Sequence, residues 1–326
     1  MLSSLSGDEI ANRGASQAGR KVGPSLVALA AMLWGTAGIA SKMLYGIDDV
    51  PPLVVGFLRL ALAVPPLVVW CWLRLGVATF HFPGRDLLLV LALGGSIAVY
   101  QVFFFAAVPE IGAALAALIT ICSGPLLVGL GAVSLLGETV TRRLGVALSL
   151  GLIGAGLLVG LPSDEGNMTG MLYAAIAALA YAAFVLVSRS LAKHDPGKII
   201  VVGFGSGAII VAPFAFASGA DAFAWSASGW AILLYIGFVP TALAYLFYFR
   251  GIRSTPATSA SVLALVEPLA ATTLAVAIFG ETLSFAAIIG AAFLVTAMVI
   301  LLRRGSPSRS VPTSETTESS LCANTT

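Results

Sequence analysis

Ten apolar runs of roughly twenty residues alternate along the chain with short polar breaks, at approximately 24–44, 52–74, 86–107, 111–134, 142–160, 170–192, 197–218, 228–249, 256–279 and 284–302. About 20 apolar residues at 1.5 Å each span a hydrocarbon core of ~30 Å as a helix, and the runs lack the two-residue alternation of a membrane barrel strand. The pattern predicts an all-α membrane protein with ten transmembrane helices. Many connections are only four to ten residues long, which leaves no room for a soluble catalytic domain between spans.

The pattern occurs twice. PLLVGLGAVSLLGET (125–139) and PLAATTLAVAIFGET (268–282) match without a gap at an offset of 268 − 125 = 143. AAMLWGTAGIASKML (30–44) aligns with AALAYAAFVLVSRSL (177–191) at an offset of 147, which places Trp34 on Tyr181. Span 1 thus matches span 6 and span 4 matches span 9, giving two five-helix units at 24–160 and 168–303. Five is odd, so the second unit is expected to lie inverted in the membrane relative to the first. Inverted repeats of this kind build transporters whose halves rock about a site near the midplane.

Charge sets the expected orientation. With the N-terminus inside, all of the 17 Lys and Arg except Lys42 and Arg59 fall on the cytoplasmic side. The outer loops hold Asp48, Asp49, Glu110, Asp164, Glu165, Asp221 and Glu281. The positive-inside rule then puts both termini in the cytoplasm and the protein in the inner (plasma) membrane. Residues 1–23 and 304–326 are polar and rich in Gly, Ser or Thr, and are expected to be disordered cytoplasmic tails. The first apolar run is too long for a signal-peptide core and is read as an uncleaved helix.

Composition agrees and narrows the function. The 326 residues are 59% hydrophobic and 10% charged, with a mean hydropathy of +1.01. A net charge of +2 spread over scattered Lys and Arg argues against nucleic acid as a partner. Three Cys with no CxxC spacing and two His in polar loops provide no disulfide framework, metal site or catalytic triad, so no cofactor is predicted.

Two ionisable residues lie deep in apolar spans: Arg59 in span 2 and Glu267 in span 9, at depths that differ by only about 4 Å. Neither has a counterpart in the other unit, where Gly124 aligns with Glu267 and Gly203 with Arg59. Charges at such depth face a bundle interior, where they pair or line a pathway. Two readings stand at this point: a structural ion pair or hydrogen bonds that lock helices together, or groups that meet a solute's charges or a proton. Pro125 and Pro268 each remove a mid-helix hydrogen bond, and the freed carbonyls are expected at a central cavity or a packing kink. Trp34, Tyr100, Gln101, Tyr181, Thr241 and Tyr245 form the expected cavity lining, since small-molecule sites combine aromatic walls with a few polar groups. Gly94, Gly95, Gly203, Gly205 and Gly207 read as close-packing positions. The repeated Glu138 and Glu281 follow a helix-ending Gly and precede Thr141 or Ser284 in the N-cap position, which reads as turn architecture.

Trp34-Gly35, Phe57-Leu58-Arg59-Leu60, Pro125 with Gly137-Glu138, Tyr181, Pro240-Thr241-Ala242 with Tyr245, and Glu267-Pro268 with Gly280-Glu281 occur in that order. In this the chain resembles the EamA-type branch of the drug/metabolite transporter superfamily over roughly residues 24–303. The second unit departs in carrying Tyr181 where the first has Trp34. The resemblance implies a 5+5 inverted-repeat bundle that moves a small organic metabolite, such as an amino acid or a related amphipathic or aromatic compound, in the direction of export. The expected partners are that solute, the lipid bilayer and protons, with Glu267 as the only fully intramembrane carboxylate to carry them; a monomer suffices to enclose the path. An organophosphate or nucleotide-sugar exchanger of the same superfamily would need several cations in the cavity. A membrane-embedded enzyme would need a paired nucleophile and base within the spans.

Overall fold

A computed structural model describes residues 7–159, 167–218, 224–280 and 282–302, with side chains from Val22 on except at 113, 114, 121 and 122. Glu281, Asp164, Glu165, Asp221 and the tail 304–326 lie outside the described residues. Ten helices are long and apolar enough to cross a membrane: α1 Val22–Tyr45, α2 Pro52–Thr79, α3 Gly84–Gly112, α4 Leu115–Leu136, α5 Arg142–Val159, α6 Met168–Ser190, α7 Pro196–Ala217, α8 Ala227–Gly251, α9 Ala257–Phe279 and α10 Phe285–Leu302. The helix that contains α1 is described from Gly7 through Pro24 to Tyr45, over most of the segment expected to be a disordered tail. Extending a formed helix adds one hydrogen bond for each residue fixed, whereas starting one does not.

Local sequence explains where these helices stop. Gly137 and Gly280 both adopt the left-handed conformation, with φ 65° and 66°, and close α4 and α9. The Thr141 hydroxyl then accepts from the Leu144 amide at 3.2 Å and the Ser284 hydroxyl from the Ala287 amide at 3.1 Å, so matched caps open α5 and α10. Between α3 and α4 the helical run is interrupted at Gly112, where φ is 76°, a value that a side chain disfavours. Span α9 breaks at Leu265, three residues before Pro268. Pro268 has no N–H to offer the Ala264 carbonyl. The helix continues unbroken past Pro125.

The helices pack mainly across the two units. α2 lies on α7, α5 on α10, α1 on α8 and α9, and α6 on α3 and α4. Exchanging the units maps this set of pairings onto itself. Matched glycines make matched contacts: a Cβ at Gly94 of α3 would lie 2.2 Å from the Gly203 carbonyl of α7, and one at Gly237 of α8 would lie 2.8 Å from Leu62 Cβ of α2. Gly203 and Gly207 belong to the same close approach, while Gly95 and Gly205 have nothing within 4 Å and are not packing positions.

Polar contacts gather the helix ends into two layers. On one, which carries Arg142, Arg189 and Arg250 and is here called the basic face, Arg74 after α2 lies 3.9 Å from Asp195 before α7. Asp86 at the start of α3 pairs with Lys193 at 2.8 Å and with His194 at 2.9 Å beyond α6. Arg143 opens α5 and donates to the Ile300 carbonyl near the end of α10. On the opposite face, Asp48 after α1 accepts from the Ser226 hydroxyl before α8 at 2.7 Å, and Glu110 near the end of α3 accepts from Asn167 before α6. The end of α4 meets the start of α9, and the start of α5 meets the end of α10. These two matched pairs therefore run in opposite directions.

Candidate functional site: a central cavity

Between the units lies a cavity of about 480 Å³, within the ~300–1,000 Å³ typical of small-molecule sites. Its lining reaches from Tyr248, three residues before the end of α8, to Tyr45 and Pro52, where α1 ends and α2 begins on the opposite face. Toward the basic face it is floored by packed rings. Trp34 lies 4.9 Å from Tyr245 and 5.4 Å from Tyr248, Phe204 lies 4.7 Å from Tyr245, and Phe184 stacks 5.9 Å from Tyr248. Below the floor, α1 and α8 meet backbone to backbone, since a Cβ at Gly251 would lie 2.7 Å from the Gly23 carbonyl.

Nine of the ten residues expected at the site line this cavity: Trp34, Arg59, Tyr100, Gln101, Pro125, Tyr181, Tyr245, Glu267 and Pro268. Thr241 is the exception, and here the structure corrects the sequence reading. It is fully buried and does not line the cavity; its hydroxyl instead accepts a hydrogen bond from Arg59 Nε at 3.2 Å. The reading missed Phe184 and Tyr248, each three residues after a lining tyrosine and so on the same helix face. It also missed Phe104, which stacks on Tyr100 at 5.7 Å.

Small residues let the walls close in. A Cβ at Gly35 would sit 2.7 Å from the Glu267 carbonyl, so α1 touches α9 where Glu267 enters the cavity. At the matched approach of α6 to α4 a Cβ at Gly124 would sit 2.8 Å from the Tyr181 ring. Gly124 and Glu267 are matched positions, as are Trp34 and Tyr181. The two approaches thus each bring an aromatic residue to the cavity, and only that of α1 to α9 adds a carboxylate.

The two charges do not form an ion pair. Among the described residues, no carboxylate lies within salt-bridge distance of Arg59, and no hydrogen bond to Glu267 side-chain oxygens is present. Arg59 is half-buried and Glu267 is exposed, both into the cavity. Of the structural reading, the ion pair is absent among the described residues, while one hydrogen bond between helices is present, from Arg59 on α2 to Thr241 on α8. Trp34 Nε1 and both amide atoms of Gln101 are buried without partners, and a Cβ at Gly56 would press within 2.8 Å of that amide oxygen. No group of three or more metal-ligating side chains occurs among the described residues.

The chain resembles known proteins in sequence and in fold. The model of the EamA-like transporter family matches residues 21–160 and again residues 168–303, once for each five-helix unit. The chain is 30% identical over 284 residues to YwfM, an uncharacterized transporter of Bacillus subtilis (strain 168), covering 84% of this chain and 92% of that one. It is 29% identical over 285 residues to an uncharacterized transporter of Archaeoglobus fulgidus, covering 87% and 97%. A solved crystal structure superposes with a TM-score of 0.74 at 22% identity, over 85% of this chain and 96% of the other, and so shares its fold. With two family matches that between them take in all ten spans, the chain belongs to the EamA-like transporter family.

Proposed function

We propose that this transporter carries a small dipolar organic solute, an amino acid or a related amphipathic or aromatic compound, by alternating access between two inverted five-helix units. The observation that carries the reading is the presence of Arg59 and Glu267 on one cavity without a bond between them. An unpaired charge at bilayer depth costs several kcal/mol. A solute that brings a carboxylate to Arg59 and an ammonium to Glu267 satisfies both, while Trp34, Tyr100, Tyr181 and Tyr245 cover its apolar body. A proton on Glu267 would neutralise that carboxylate when the ammonium leaves, which makes Glu267 the coupling residue in this reading.

The exchange-symmetric packing and the antiparallel α4/α9 and α5/α10 pairs support two units that rock against each other. The cavity reaches the face poor in Lys and Arg, which the positive-inside rule makes the outer one, with both termini in the cytoplasm; ten helices suffice to enclose the path, so one copy in the inner membrane serves. Export is the direction the family resemblance implies. Polyanionic organophosphates and nucleotide sugars fit less well, because Arg59 is the single Lys or Arg among the lining residues and Glu267 opposes a second negative charge.

The test is counterflow in proteoliposomes with a panel of labelled solutes. Zwitterions with an apolar or aromatic body should exchange, and analogues that lack either charge should exchange poorly. Exchange confined to polyanions or to uncharged solutes refutes the reading.

A further inference from the structure

We propose that Thr241 is a positioning residue that fixes the direction of the Arg59 guanidinium, and that it is set in place by the wide turn of α8. This rests on the reading that Arg59 receives the anionic group of the solute. α8 contains a π-helical turn at Phe238–Leu243 with Pro240 inside it. Proline has no N–H, so the Ile236 carbonyl four residues earlier loses its regular partner. The Thr241 hydroxyl supplies a replacement and donates to Ile236 O at 2.8 Å, five residues back and therefore across the widened turn. Wide turns of this type recur at functional sites.

A hydroxyl has one proton and two lone pairs. With its proton committed to Ile236, the Thr241 oxygen presents only acceptor capacity to its other neighbour. That neighbour is Arg59 Nε, 3.2 Å away. Guanidinium is planar, so a bond at Nε sets the plane and aims the two terminal nitrogens. Those nitrogens carry four further N–H donors, and among the described residues none of them has a hydrogen-bond partner. Thr241 is itself fully buried and does not touch the cavity. It can reach a solute only through Arg59. Its chain of dependence is short: Pro240 frees a carbonyl, the carbonyl orients a hydroxyl, and the hydroxyl orients a cation.

The experiment measures half-saturation concentration and maximal rate of counterflow for a zwitterionic solute in wild type, Thr241→Val, Thr241→Ser, Arg59→Gln and the Arg59→Gln/Thr241→Val double variant. Valine keeps the branched shape and removes the hydroxyl. Expected are a half-saturation concentration raised about tenfold in Thr241→Val, the size of one orienting hydrogen bond to a charged group, a near wild-type value in Thr241→Ser, and no further loss when Thr241→Val is added to Arg59→Gln. A residue that served only to hold α8 together would weaken both backgrounds alike. Thr241→Val or Thr241→Ser with the affinity pattern reversed, or an equal loss in the Arg59→Gln background, overturns the proposal while the dipolar-solute reading stands. A wild type with no preference for zwitterions overturns both.

Discussion

The Glu138 carboxylate at the end of α4 accepts two bonds from Thr258 at the start of α9, from its amide at 3.1 Å and from its hydroxyl at 2.6 Å. It accepts a third from the Ala257 amide at 2.6 Å. The sequence presents Glu138 as part of a turn, and Gly137 does make that turn. The side chain then leaves its own unit and caps a helix of the other. Helix N-termini carry unsatisfied N–H groups and a partial positive charge, and a carboxylate there satisfies both. Replacing Glu138 with Ala is expected to cost about 1–3 kcal/mol, between a lost cap and lost charge-assisted bonds, and Glu138→Gln less, because an amide oxygen still accepts. The midpoint of thermal unfolding in detergent checks this; equal midpoints for wild type and Glu138→Ala would contradict it.

Glu267→Gln keeps the shape of the side chain and one acceptor oxygen and removes its charge. Because Glu267 faces open cavity and holds no helix partner, the variant is expected to fold in normal yield, to lose most zwitterion exchange, and to lose any stimulation of transport by an imposed pH gradient. Intact exchange in a well-folded Glu267→Gln protein would remove Glu267 from the transport path.

Gly35→Ala and Gly124→Ala separate two kinds of close approach. At Gly35 the added carbon meets backbone of α9, 2.7 Å from the Glu267 carbonyl and 2.9 Å from the Ala271 amide nitrogen. Backbone must shift, so a destabilisation of about 1–3 kcal/mol is expected. At Gly124 the added carbon meets the Tyr181 ring, which has cavity space to turn into. That variant is expected to stay closer to wild-type stability and to lose affinity for the bulkier solutes first. Thermal midpoints together with a size series in counterflow distinguish the two.

Single cysteines at Asp49 and at Arg142, in a background with the native cysteines replaced, are expected to react with a membrane-impermeant thiol reagent from opposite sides of the membrane. Arg142 and Arg250 variants are expected to react from the same side. Labelling of Arg142 and Arg250 positions from different sides would contradict both the charge rule and the layer in which the structure gathers them.

The ten spans, the two units and nine residues of the cavity lining were legible in the sequence, while Phe184, Tyr248 and Phe104 were not. Membrane crossing depends on the summed apolarity of a contiguous run, and summed apolarity is a local property of the chain. The repeated Pro and Gly-Glu-Thr carried the pairing of units in the same local way. Which side chains meet depends on the rotation of each helix about its axis. In helices apolar on all faces, such as α8, the sequence carries no periodic signal of that rotation. One extra residue in a wide turn changes it, and Thr241 accordingly turned from the cavity toward Arg59. Whether Arg59 and Glu267 pair, and whether Glu138 stays in its own turn, were likewise settled by distances between helices far apart in sequence. Those distances follow from glycine contacts such as Gly35 on Glu267 and Gly94 on Gly203, which exist only once the two halves are packed together.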